Sequence, residues 1–232
     1  MANAPTIETA IDQLLESNRS LWRGCNRDRL DSEGITTGFA LLDEALPERG
    51  WPPQGVIEVL SKQPGIGELQ LFVPLMRELI ASGHWILWIA PPYSPYAPGL
   101  AQAGIDLRRI LVVGQVEATE DSPKKSTRGI PANEALWSME KALQIQHCGL
   151  VMAWRDALPQ RQLRRLQLAA MTGKTLGVLF MRKNSEHSPS SMRLKIEALK
   201  HGAEELTAIV VLKAKGRFHP KTVHVQLTGA RP

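Results

Sequence analysis

Two cysteines in 232 residues are too few, and too far apart, to staple a small fold or to build a metal or redox pair. Cys25 and Cys148 read as reduced thiols of a cytoplasmic protein. The six histidines fall at no metal-ligand spacing, and His219 and His224 merely flank an expected strand. No apolar run reaches the length of a membrane span. Asp12, Glu16 and Asn18 interrupt the early apolar residues, so neither a transmembrane helix nor a signal peptide is expected. No internal repeat is present. Acidic residues become scarce after Trp154: fifteen Lys and Arg face five Asp and Glu there, whereas thirteen face eighteen up to that point. That asymmetry suits a basic surface meeting a polyanion or an acidic partner.

What is present is a regular alternation of apolar segments. Residues 5–24 carry Ile7, Ile11, Leu14, Leu15, Leu21 and Trp22 at helical spacing, and "NRDRLDSEGI" reads as a linker. The chain then gives a strand "GVIEVL", a helix over 67–82 and a strand "WILWIA" at 85–90 that "PPYSPYAPG" must end. Further strands are expected at 109–114, 149–154 and 175–181. Amphipathic helices are expected at 133–146, with Asn133 as a cap, and at 159–173. "MRLKIEAL", "LTAIVVLKA" and "KTVHVQL" read as late, mainly antiparallel strands. Buried apolar strands alternating with helices predict an α/β fold: a mostly parallel sheet flanked by helices, with antiparallel strands at the C-terminal edge.

The segment after the first strand has the layout of a phosphate-binding loop without its chemistry. Such a loop needs two glycines five apart, then Lys and Ser/Thr: backbone N–H groups wrap the phosphates, the lysine neutralises them and the hydroxyl holds Mg²⁺. Here the eight positions run from Lys62 through Gly65 and Gly67 to Glu68 and Leu69, and only the second glycine stands in place. Glu68 would set a carboxylate against a triphosphate, an effect of roughly several kcal/mol against binding at intermediate dielectric.

The order of segments carries a resemblance. "TTGFALLDEALPERGWPPQGVIEVLSKQPGIGELQL" resembles the opening of a RecA-type recombinase core, and "WILWIAPPYSPYAPGLAQAGIDLRRILVVGQ" its next unit. "NEALWSMEKALQIQHCGLVMAW" resembles the helix and Walker B strand, and "LGVLFMRKNSEHSPSSMRLKIEAL" the mobile DNA-binding loop between two strands. The resemblance implies a RecA-like P-loop-type core over residues 35–232, preceded by an N-terminal amphipathic helix and linker over 1–34. It also implies that the catalytic positions are lost. The lysine position is Glu68, the hydroxyl position Leu69, the water-activating glutamate falls near Pro92 and the Walker B aspartate at Trp154, with Asp156 two residues beyond.

Degenerate loops of this kind, with "PGIGELQL", "IAPP" and an "ALW…LVMAW" segment, resemble the ImuA family and the related SulA family of SOS-induced division inhibitors. The loop and the length favour ImuA. That resemblance implies a non-catalytic adaptor in SOS mutagenic translesion DNA synthesis, with no cofactor and no metal. Its partners would be a RecA-type recombinase, an ImuB-type Y-family-like polymerase and a C-family error-prone polymerase, with DNA and self-association as further candidates. The alternatives are a SulA-type inhibitor binding the tubulin-like division GTPase, and an atypical ATP-binding enzyme.

Site expectations follow. Arg182, Lys183, Arg193 and Lys195 bracket the loop where the resemblance puts DNA contacts, which would be salt-sensitive. Ile7, Ile11, Leu14 and Leu15 form a stripe that needs a covering surface, and Arg161, Arg164 and Arg165 lie on a helix as partner contacts. Trp85, Trp88, Trp137 and Trp154 read as core or near-core. The Trp154 ring, with Leu69, is expected to fill the vacated nucleotide pocket.

Overall fold

The run "GVIEVL" forms β1 (Gly55–Leu60), buried along its whole length because strands flank both its edges and helices cover both its faces. The computed structural model describes residues 34–62, 65–114, 131–183, 188–201, 204–214 and 220–227. The expected N-terminal helix, with Ile7, Ile11, Leu14 and Leu15, lies outside the described residues. Helix α1 (Ala40–Ala45) precedes β1. A 3-10 turn (Gln70–Phe72) and α2 (Val73–Ala81) follow it, then β2 (Trp85–Ile89), α3 (Ala97–Gln102), β3 (Ile110–Val113), α4 (Ala132–Ala142) and β4 (Cys148–Arg155). The chain continues through α5 (Gln160–Gly173), β5 (Leu176–Met181), β6 (Met192–His201), β7 (Glu204–Ala214) and β8 (Lys221–Val225).

All eight strands join one sheet in the order β3-β2-β4-β5-β1-β6-β7-β8. The sheet is mixed: β6 runs parallel to β1, and β7 and β8 then reverse direction in turn. This corrects the expectation of a mostly parallel RecA-like P-loop core with antiparallel strands added at its edge. The two longest strands of the sheet, β6 and β7, belong to the C-terminal run, and β6 is hydrogen-bonded directly to the strand that leads into the loop.

Side-chain alternation sends the two faces of each strand into separate cores. Ile57, Val59, Ile86, Trp88, Met152 and Phe180 pack with α1, α2 and α3 on one face. Val56, Leu87, Val151 and Leu179 pack with α4 and α5 on the other. Helix α2 starts six residues later than the periodicity suggests. Pro74 sits in its first turn, where a missing N–H costs nothing, and residues 70–72 tighten into the 3-10 turn before it. Asn133 is not the cap of α4, whose flanking residue is Pro131. Trp137 is not in the core either: it is 60% exposed on α4, while Trp88 is 2% exposed. Cys148 is buried, and desolvation pushes its thiol up to about 11, which keeps it protonated and unreactive.

The carboxyl ends of α4 and α5 touch through a glycine. A Cβ placed on Gly173 falls 1.9 Å from the Leu143 carbonyl oxygen and 2.9 Å from Gln144 Cα. Exchanging glycine for alanine in a helix ordinarily stabilises by about 1 kcal/mol. Here the sign reverses: Gly173→Ala lowers stability, read as a lower urea midpoint at an unchanged slope.

Candidate functional site

The loop after β1 is held by its own acidic side chain. The Glu68 carboxylate is buried and turns back on the residues just before it. Its Oε1 accepts from the Gly65 N–H at 2.7 Å and its Oε2 from the Ile66 N–H at 2.9 Å. Gly65 and Gly67 take φ of 84° and 95°, a region that glycine enters freely, and this brings the two N–H groups onto one side of the turn. Two adjacent backbone donors converging on an anion are what a phosphate loop offers a ligand. In this chain the anion is Glu68 itself.

Beneath the loop runs a ladder of rings. Trp88 meets Trp154 edge-on at 5.7 Å, Trp154 stacks on Phe180 at 4.9 Å, and Phe180 meets Phe72 edge-on at 5.9 Å. Phe72 then stacks on Trp51 at 4.9 Å. Each such pair contributes about 0.5–1.5 kcal/mol beyond its buried area. Trp154 thus occupies the end of β4, where an active relative would place an acid. The pocket is nevertheless not full. A cleft of about 490 Å³ remains at the carboxyl ends of β1, β2, β4 and β5, lined by Glu68, Ala90, Tyr93, Trp154, Arg155 and Asp156 among others. Leu69 does not line it. That side chain turns into the core packed by α1 and α2.

Asp156 stands at the cleft rim in a two-pronged pair with Arg182, Nε to Oδ1 at 2.7 Å and Nη2 to Oδ2 at 2.8 Å. Hydrogen bonding to the Arg182 guanidinium holds the Asp156 carboxyl below its ordinary range and raises Arg182 in turn. Both side chains are exposed, so the pair fixes geometry more than it adds stability.

The four expected DNA-contacting residues do not form one basic loop. Arg193 is buried in β6, with its Nη2 3.2 Å from Glu58 Oε2 on β1. Arg182 is engaged by Asp156, Lys195 by Glu197 at 2.7 Å, and Lys183 is exposed. Burial of Arg193 corrects its reading as a phosphate contact. Arg161 and Arg164 are exposed on α5, and Arg165 pairs with Glu140 of α4 at 2.5 Å.

The pattern-based reading passed over Glu58. It lies fully buried at the middle of β1, and its register partner across the parallel pairing is Arg193, whose own partner on β7 is Lys213. Ser188 and Ser190 donate their hydroxyls to Glu58 Oε1, and Lys213 Nζ donates to the carbonyls of both serines at 2.6 and 2.7 Å. Burial pulls the Lys213 ammonium below its ordinary range, and the Glu58 charge opposes that shift. The only signal in the sequence was a lone acid inside an apolar strand.

An α/β protein whose anion cradle and nucleotide floor are taken up by its own Glu68 and Trp154 belongs to a class that has the shape of a nucleotide site without its ligand chemistry. The family model of SulA, described as cell division inhibitor SulA, matches residues 55–177, more than half of the chain, and the chain belongs to that family. It is 28% identical over 109 residues to the cell division inhibitor SulA of Edwardsiella piscicida, covering 47% of this chain and 56% of that one. It is 24% identical over 156 residues to that of Serratia proteamaculans (strain 568), covering 66% and 83%. The chain thus spans little more than half the length of the first of these relatives. The crystal structure of SulA from Pseudomonas aeruginosa aligns with a TM-score of 0.41 at 25% identity, over 55% of this chain and 98% of that chain.

These matches overturn the ImuA identity and what it implied. The translesion adaptor role, the recombinase and polymerase partners, the DNA partner and the RecA-like P-loop description all give way to the SulA family.

Two substitutions test the interior of the site. Glu68→Ala frees two N–H groups and costs about 1–3 kcal/mol in urea denaturation. Glu58→Ala removes the carboxylate from the buried Arg193 guanidinium and costs about 3–5 kcal/mol, so that variant is expected to lose most of its soluble yield at 37 °C.

Proposed function

We propose that this chain is a non-enzymatic inhibitor of bacterial cell division that acts in the cytoplasm by binding the tubulin-like division GTPase. The observation that carries this reading is the SulA family match over residues 55–177, together with relatives named as cell division inhibitors. The chemistry of the cleft supports action by surface contact. Glu68 and Leu69 stand where a lysine and a metal-binding hydroxyl would be needed, and Glu68 already holds the N–H groups that would receive a phosphate. Among the described residues no helix is long and apolar enough to cross a membrane.

For the contact face we assign the outer surface of α4 and α5. Trp137 is 60% exposed there, and Leu168 and Met171 are exposed on α5 with Arg161 and Arg164. Tryptophan and arginine are the residue types that dominate binding energy at protein interfaces.

Purified chain added to the polymerising division GTPase is expected to lower sedimented polymer in proportion to its concentration. Trp137→Ala with Arg164→Glu should abolish that effect by at least about 2 kcal/mol of binding while leaving the melting temperature unchanged. Polymer yields that ignore the chain would remove the reading. Full inhibition by the double variant would move the contact to another face.

A further inference from the structure

We propose that the cleft beside Trp154 is a binding site for a small ligand that carries a flat ring and a single negative charge. This is independent of the reading of the chain as a division inhibitor. The cleft lies where parallel strands end, the position at which α/β sheets bind ligands, and its volume of about 490 Å³ suits a small molecule. Its floor is aromatic: the half-buried Trp154 is backed by Phe180 at an interplanar angle of 18°, so the stacked pair presents a rigid flat surface. Tyr93, 69% exposed, stands at the rim as a second ring.

The charges set the sign and number. Arg182 is spent on Asp156, and Glu68 is spent on the Gly65 and Ile66 N–H groups. Arg155 is different. It lines the cleft and takes part in no ion pair among the described residues. A guanidinium that no described carboxylate pairs with is the group at the cleft able to take an anionic ligand. One negative charge on the ligand answers it. A second or third would meet the carboxylates of Glu68 and Asp156 at the same cleft, which disfavours di- and triphosphates. Ala90 supports the same location: it lines the cleft at φ 50°, a conformation that costs energy for a residue with a Cβ and that tends to persist at ligand sites.

The single charge can come from a carboxylate or from a phosphodiester, and calorimetry on the full chain separates them. The probes are indole-3-acetate for the first and 3′,5′-cyclic AMP for the second, with neutral indole and magnesium–ATP as comparators. At least one monoanion is expected to bind saturably, about tenfold or more tighter than either comparator. Arg155→Met should weaken it at least about tenfold, while Arg165→Met, outside the cleft, should not. In NMR spectra of unmodified protein, the indole N–H signal that Trp154→Phe identifies should move on titration. The proposal falls if neither monoanion binds, if indole or magnesium–ATP binds as tightly, if Arg155→Met retains full affinity, or if the Trp154 signal stays still.

Discussion

A carboxylate with no water around it must have a cation beside it, and in this fold that requirement decides which strand lies next to β1. Glu58 is fully buried at the centre of the sheet. Leaving such a charge unpaired costs several kcal/mol, comparable to the whole stability of a domain of this size. Arg193 answers it only when β6 is parallel to β1 with Ile57 opposite Met192 and Glu58 opposite Arg193. A slip of one residue would turn Arg193 to the other face and put a leucine or a methionine against the carboxylate. Lys213 extends the row to β7 in the antiparallel register, and its hold on the Ser188 and Ser190 carbonyls fastens the segment entering β6. One acid therefore specifies the order β1-β6-β7, and with it the mixed sheet.

The second acid works locally. Glu68 is three residues from Gly65 and two from Ile66, close enough to fold back on both N–H groups. A phosphate loop keeps its donors pointed inward because a ligand completes them. Here the side chain completes them permanently, so the turn keeps its shape with no ligand to order it. The aromatic ladder does the same for the floor. Trp154 stacks on Phe180 and gives the cleft a flat aromatic floor beside the polar side chains of Glu68, Arg155 and Asp156. The two are alike in kind: each is completed by contacts made within the chain.

How much of this could be read from the sequence follows from the range of the interactions involved. The strands of the parallel part were legible as short apolar runs, the clearest closed by Pro, as "WILWIA" before "PPYSPYAPG" shows. The reversal of charge at Glu68 was legible because a loop motif is local. Pairing was not. Nothing within a few residues of Glu58 names Arg193, 135 positions away, as its partner, so the place of β6 beside β1 stayed hidden. The same blindness put Arg193 among surface cations and Trp137 in the core. An amphipathic helix predicts a buried stripe, but whether a large aromatic falls inside it depends on how far the neighbouring helix reaches. The family assignment failed for a related reason. The preference for ImuA over SulA rested on the loop and the chain length, and the SulA match along residues 55–177 overturns it.

A loop and a cleft floor that the chain completes by itself have a physical logic of their own. A catalytic site needs loops loose enough to close and release on each turnover. A contact surface instead gains affinity from being rigid before the partner arrives, because less ordering remains to be done on binding. The self-held loop at Glu68, the stacked Trp154 and the two-pronged Asp156–Arg182 pair all reduce motion at the carboxyl ends of the strands. Each of these contacts removes conformational freedom, which favours a fixed surface over a moving one.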